Sequence, residues 1–218
     1  MLIVVHPSLA ADRVDDLLSR PVSPGALVLL LPSSRDARVT ARWIESLANG
    51  DPRVRLLAAR LLAQSHPPSA VDPLQKALSV ETDHFVAAEQ ARTLLETAPD
   101  ADAAVIEAAV RLKDNGLAAT LGRVLGARAL GTFDRVRERC GSPAGAALVG
   151  AIVEMTPAAL STLPPAVVED DAALEAALVA AIMLRTAPQG GLDNECAGRS
   201  QDDASHPGVV VNRDRRGC

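Results

Sequence analysis

Three stretches of this chain can be aligned with one another, and this internal repeat limits the possible folds more than any other feature. The stretches begin at Asp51, Asp83 and Asp114, at offsets of 32 and 31 residues. Four sets of positions match from the first stretch to the third: Val54, Val86 and Leu117; Ala59, Ala91 and Gly122; Arg60, Arg92 and Arg123; Leu62, Leu94 and Leu125. A period near 30 residues with helical apolar spacing is typical of stacked helices. Such units cannot bury their apolar faces alone, so we predict that they stack into a solenoid.

A second set of matches shows that the repeating unit is a pair of helices. The matching residues lie between the stretches at an offset of 32, and they are Leu74 with Ile106, Ala77 with Ala109, and Leu78 with Val110. Asp51 suits a helix N-cap, and Pro52 suits the first helical position. We therefore predict stacked antiparallel helix pairs, with an aspartate at the start of each of the three stretches.

The composition predicts an all-α fold independently of the repeat. The 218 residues include one Trp, two Phe and no Tyr, so the core must consist of Ala, Leu and Val. Ala and Leu are the strongest helix formers. Residues 1–186 are predicted to form the solenoid, and residues 187–218, rich in Gly, Asp, Asn and Ser, are predicted to be a disordered tail.

Outside the repeats, further helices are predicted from apolar spacing and breaking residues. The predicted segments are residues 8–19, 36–48, 133–139, 143–155 and 172–185, and the helix of the third stretch is predicted to span 117–130. The short apolar run at residues 26–31 fits either a strand or a helical turn. Helix is favoured there because a single strand would have no partner.

Charge, cysteines and motifs restrict the classes of function. The net charge of −5 does not favour nucleic acid, because phosphate binding needs clustered basic residues. Three irregularly spaced cysteines predict neither a disulfide framework nor a zinc site. Catalytic, phosphate-binding and metal-binding motifs are not found, so we expect no enzyme, cofactor or small-molecule substrate. No signal peptide is recognised and the apolar runs are too short to span a bilayer, which predicts a cytoplasmic protein without a membrane partner.

Residues 33–125 resemble HEAT-like repeats and, more loosely, the leucine-rich-repeat variant. The residues that carry the resemblance are Asp51-Pro52-Arg53-Val54-Arg55 with Ala58, Ala59 and Leu62, a looser copy with Asp36, Arg38, Val39, Ala41 and Leu47, and starts at His6 and His66. The resemblance implies a right-handed α-solenoid of stacked antiparallel helix pairs. It also implies a ladder between repeats made by the aspartate and the arginine after the valine. That arginine is present only as Arg55, with Ala87 and Ala118 at the matching positions.

The candidate binding residues are the arginines that repeat with the period of the solenoid. Arg60 lies about 120° from Val54 at ~100° per residue, on the flank of the apolar face. Stacking would align Arg60, Arg92 and Arg123 into a stripe, extended by Arg128 and by the arginines of residues 135–139. One interpretation is a groove for an acidic partner. The other is internal ion pairing with acids such as Glu89 and Glu96.

Two single residues have a structural and a functional interpretation. Trp43 has helical spacing with Val39 and Leu47, which favours a core position over an exposed binding residue. Cys140 follows several arginines, which would lower the pKa of a thiol, whereas a small residue at a helix end would have no special reactivity.

Three functional hypotheses follow. The first is a non-catalytic scaffold that binds another protein, for instance through an acidic segment. The second is association with nucleic acid, as in HEAT-like DNA glycosylases, which the arginine stripe favours and the acidity of the chain opposes. The third, a lyase-like or chaperone role, rests on the family resemblance alone.

Overall fold

The structure is a computed structural model that describes residues 11–186, and all regular secondary structure within them is helical. This confirms the all-α prediction for that part of the chain. Residues 8–10 of the first predicted helix and the predicted tail at residues 187–218 lie outside the described residues. Twelve α-helices span the described chain: α1 (Ala11–Ser19), α2 (Pro24–Leu29), α3 (Ala37–Ser46), α4 (Pro52–Ser65), α5 (Val71–Val80), α6 (His84–Thr97), α7 (Asp102–Leu112), α8 (Asn115–Leu125), α9 (Phe133–Cys140), α10 (Ser142–Met155), α11 (Pro165–Val168) and α12 (Asp171–Thr186).

The three aspartates of the repeat cap the helices that they precede. The side chains of Asp51, Asp83 and Asp114 each accept a hydrogen bond from the backbone N–H two residues later, at 2.9, 2.9 and 2.7 Å. Each bond satisfies a donor that has no partner within the helix. Pro52 occupies the first position of α4, where no backbone N–H is needed. The predicted cap at Asp51 is therefore confirmed, and Asp83 and Asp114 cap their helices in the same way.

The helices stack in two layers. Among the even-numbered helices, α2 packs on α4, α4 on α6, α6 on α8, α8 on α10, and α10 on α12. Among the odd-numbered helices, α1 packs on α3, α5 on α7, and α7 on α9. Each of α3, α5, α7, α9 and α11 also contacts the even-numbered helix that follows it. The repeating unit is thus a pair of consecutive helices with one member in each layer.

The matching apolar residues of the repeat form the core between these layers. Val54, Val86 and Leu117 are all buried, and Leu62 and Leu94 are fully buried. Leu125, which aligns with Leu62 and Leu94, is only half-buried because it is the final residue of α8. The register derived from the sequence therefore assigns the buried face of α4 and α6 correctly.

Gly122 takes the place of an alanine because α8 and α10 approach closely. A Cβ atom at Gly122 would lie 2.5 Å from the carbonyl oxygen of Leu148 and 3.0 Å from the Cβ atom of Ala151. These distances are shorter than normal van der Waals contacts, so no larger residue fits without a shift of the backbone. The equivalent Ala59 and Ala91 are fully buried.

Some element boundaries differ from the predictions. Residues 26–31 belong to α2 and a following 3₁₀ turn, so helix rather than strand is correct there. The helix predicted at residues 117–130 was too long, because Gly126 adopts a φ of 57° and ends α8 at Leu125. A 3₁₀ helix then runs over Gly126–Thr132. The 3₁₀ helix Pro157–Thr162 and the short α11, which both begin at proline, were not predicted from the sequence.

A buried ion pair connects neighbouring repeats where the family resemblance implied a ladder. The Arg55 guanidinium on α4 donates two hydrogen bonds of 2.7 Å to the carboxylate of Glu81, which precedes α6. Only 15% of the Arg55 side chain and 2% of the Glu81 side chain are exposed. The acid of this contact therefore comes from the loop before the capping residue Asp83.

The surroundings of Glu81 satisfy its remaining hydrogen-bonding capacity. Its carboxylate accepts hydrogen bonds of 3.0 Å from the backbone N–H groups of Thr82 and Asp83. Burial by itself would raise the pKa of Glu81, but the hydrogen bonds from Arg55, Asp83 and Thr82 hold this pKa below its usual value. Arg111 on α7 donates to the backbone carbonyl of Glu81 at 2.5 Å. Arginines from two neighbouring repeats thus fix this one loop.

Candidate interaction surface

The predicted arginine stripe lies on the exposed face of the even-numbered helices. Arg60 on α4, Arg92 on α6 and Arg123 on α8 line one cleft of about 350 Å³. Arg92 also lines an adjacent cavity of about 670 Å³, together with Arg128 from the 3₁₀ helix after α8. The structure therefore brings all four candidate residues together on one surface. They meet because helices at the same place in successive repeats pack side by side.

Two of these arginines are engaged in ion pairs within the protein. Glu89, whose side chain is 13% exposed, lies 3.4 Å from Arg60 and forms an ion pair with Arg92. Arg92 also pairs with Glu96 at 2.7 Å. Burial would lower the pKa of Arg92, yet its hydrogen bonds to Glu89 and Glu96 raise it. For Arg60 and Arg92, internal pairing is thus the interpretation that the structure favours.

The other two arginines present unpaired positive charge. Arg123 and Arg128 are both exposed, and neither forms an ion pair with any residue that the structure describes. Arg123 is in the last turn of α8, where a cation also interacts favourably with the helix dipole. The unpaired positive charge of the stripe therefore lies at the end of α8 and in the 3₁₀ helix that follows it.

Phe85 is the residue of this surface that the sequence analysis missed. It lines the same cleft as Arg60 and Arg123, and 83% of it is exposed. The signal was present in the repeat, because Phe85 aligns with Arg53 and Gly116, the second residue of each helix. Arg53 is exposed in the first repeat. An aromatic residue at an exposed repeat position is the pattern that would have identified it.

An apolar groove continues the surface toward the C-terminal helices. It has a volume of about 610 Å³ and lies between α8, α10 and α12. Small residues such as Ala146, Gly150 and Ala176 line it, and so does the half-exposed Val179. Arg123 lines both this groove and the cleft around Phe85. The groove was not predicted from the sequence, because the repeat register fades after residue 131.

The arginines of residues 135–139 do not extend the stripe, contrary to the expectation. They belong to α9, which packs on α7 in the other layer. Arg135 pairs with Asp102 at 3.1 Å and Arg139 pairs with Glu107, both on α7. Arg135 and Arg139 therefore connect two odd-numbered helices to one another.

The two single residues have structural roles. Trp43 is fully buried in the core, as its spacing predicted. Burial raises the pKa of the Cys140 thiol, and the neighbouring Arg139 opposes this shift only in part. The thiol is therefore less ionised than a free cysteine, which agrees with an inert residue at a helix end.

Comparisons with known proteins add no relative from which a role could be transferred. The chain has no significant match to a protein-family model, a curated protein or a solved structure. Within residues 11–186, no helix has the length and apolar character needed to cross a membrane. No cluster of His, Cys, Asp or Glu suited to a metal ion was found in the same range.

Proposed function

We propose that this protein is a non-catalytic, cytoplasmic scaffold that binds another protein through the exposed face of its even-numbered helices. We further propose that the stacked helix pairs form a right-handed, HEAT-like α-solenoid. The internal repeat, the capping aspartates and the layered contacts support this architecture. In such arrays the repeated helices of one layer supply an extended surface for macromolecules.

The observation that carries the proposal is the exposed Phe85 beside the unpaired Arg123. Phenylalanine is usually removed from water, and an exposed one forgoes the free energy of burial. Aromatic residues and arginine are enriched where protein interfaces bury their central contacts. The adjacent apolar groove adds further exposed hydrophobic surface, which in soluble proteins is typical of interaction sites.

Photo-crosslinking from inside the cleft tests the proposal. Benzoylphenylalanine would replace Phe85 in the full chain inside cells, and crosslinked proteins would be identified by mass spectrometry. The matched control carries the same residue at Val80, which is exposed at the end of α5 in the other layer. We expect one defined protein to be captured from position 85 and not from position 80. Equal capture from both positions, or none from either, would show that this face is not the binding surface.

Association with nucleic acid is the second candidate, and the unpaired charges of Arg123 and Arg128 favour it. Retention on DNA that falls steeply with rising salt would support this alternative. Glu89 and Glu96 on the same face oppose it, because their ion pairs with Arg60 and Arg92 already neutralise positive charge that a phosphate backbone would need.

A further inference from the structure

We infer that the partner contributes an acidic segment with an apolar anchor residue, and that this segment binds in the cleft between α4, α6 and α8. The inference rests on the proposed function, since it specifies the partner of the same surface. Three observations support it. They are the charges of the surface, the position of its apolar side chains, and the fact that the cleft and the adjacent cavity share Arg92 and Val124.

The surface is positively charged although the chain is acidic. The cleft and the adjacent cavity are lined by four arginines and two glutamates, whereas the whole chain has a net charge of −5. Both glutamates are already paired with Arg60 or Arg92. The remaining charge is that of Arg123 and Arg128, so carboxylates from outside are the complementary groups.

The apolar part of the cleft adjoins these charges. Phe85 lies in the cleft with Leu56, Ala88 and Val124, and Val124 also lines the cavity that contains Arg128. An apolar side chain of the partner would cover Phe85 and remove it from water. A carboxylate a few residues away would then reach Arg123 or Arg128, where the guanidinium offers two parallel donors.

The same features favour a peptide over nucleic acid. A nucleic acid is held by many basic contacts along the backbone and by several stacked aromatic residues. The surface offers two unpaired arginines and one exposed aromatic residue within the described chain. Glu89 also neutralises part of the charge of Arg60 and Arg92, which leaves less positive charge for phosphates. A short acidic segment needs only one anchor and two ion pairs, which this surface supplies.

A displayed library of random 12-residue peptides tests the inference without a known partner. The full chain would be the bait, and enriched peptides would be synthesised and measured by fluorescence anisotropy. We expect enriched peptides to combine Asp or Glu with a large apolar residue and to bind more weakly at higher salt. Arg123→Glu combined with Arg128→Glu should weaken their binding at least about tenfold, and so should Phe85→Ala.

Two control variants separate this site from general surface effects. Arg35→Glu makes the same type of substitution, with half the charge change of the double variant, at another exposed arginine that has no ion-pair partner among the described residues. Val80→Ala removes apolar surface that is exposed in the other layer. Both controls should bind the enriched peptides as the unchanged protein does. Circular dichroism of all variants would confirm that they are folded.

Three results would overturn the inference. Neutral or basic enriched peptides, or acidic ones that bind the cleft variants unchanged, would show that the cleft does not select acidic segments. Tighter binding of a 20-nucleotide DNA strand than of every peptide, lost in the double arginine variant, would assign the surface to nucleic acid. If either peptide result is obtained while position 85 still crosslinks one protein, the proposed scaffold function stands, and only the inference of an acidic partner segment is wrong.

Discussion

The Arg55 guanidinium donates two hydrogen bonds of 2.7 Å to the Glu81 carboxylate and thereby joins the first repeat to the second. Both side chains are largely removed from water, so each depends on the other for the opposite charge that offsets its burial. A buried charge without its partner is costly, which makes this contact a sensitive point of the array.

Glu81→Ala should lower the free energy of unfolding by about 3–5 kcal/mol, because it leaves the positive charge of Arg55 buried without a counter-charge. Glu81→Gln should cost less, since the amide oxygen still accepts a hydrogen bond. Urea denaturation followed by circular dichroism would measure both changes. Glu107→Ala, which breaks the exposed pair with Arg139, is the control and should have little effect. Equal losses for Glu81→Ala and the control would contradict the assigned role of the buried pair.

The stability contributed by Glu81 should be lost in acid. Its pKa is lower in the folded protein than in the unfolded chain, so the unfolded chain binds the proton first as the pH falls. This contribution is therefore complete above the unfolded value of about 4.3 and decreases below it. Denaturation curves at pH 7 and pH 3.5 should show a smaller decrease for Glu81→Gln than for the unchanged protein. Parallel decreases would indicate that Glu81 has the same pKa in both states.

Gly122→Ala should destabilise the protein by about 1–3 kcal/mol despite the better helix propensity of alanine. The new methyl group would meet the Leu148 carbonyl oxygen at 2.5 Å, and only a shift of α10 would relieve the contact. Gly150→Ala is the matched control, at the contact between α10 and α12. There the new methyl group would lie 3.6 Å from the Ala176 Cβ atom. We expect the control to melt at the same temperature or higher. A Gly122 variant that melts like the Gly150 variant would contradict the close approach of α8 and α10.

Lys113→Gly should stabilise the protein by up to about 1 kcal/mol. Lys113 ends α7 with a φ of 52°, in the left-handed region that a residue with a side chain enters at a cost. Lys76→Gly, inside α5, should instead destabilise by about 1 kcal/mol, because glycine is a poor helix former. Melting temperatures of the two variants should therefore move in opposite directions. Shifts of the same sign would show that the end of α7 is not strained.

Replacement of the arginines of the stripe should affect stability only where the arginine forms ion pairs within the protein. Arg92→Gln should cost on the order of 1 kcal/mol, because it removes ion pairs from Glu89 and Glu96. Arg123→Gln should leave stability nearly unchanged, since exposed and unpaired residues contribute little. Thermal melts of the two variants measure the difference. Similar melting temperatures would mean that the ion pairs of Arg92 do not contribute to stability.

The sequence identified the features that depend on local interactions. The aspartate caps, Pro52 at the start of α4 and the buried face of Val54 and Leu62 follow from helical period and hydrogen bonding within one turn. The repeat also predicted that Arg60, Arg92 and Arg123 would meet, because equivalent positions of stacked helices lie side by side. Phe85 was predictable in principle from the same register.

The tertiary structure decided the features that depend on contacts between distant residues. Arg60 and Arg92 form ion pairs because both lie next to Glu89, whereas Arg123 and Arg128 have no such neighbour among the described residues. The position of α9 in the layer of odd-numbered helices depends on helix packing after residue 131. The pairing of Arg55 with Glu81 likewise joins residues from different repeats. A repeated sequence determines its helices and their buried faces because these follow from local spacing. The pairing of charged side chains depends on distances across helices, and only the packed array fixes those distances.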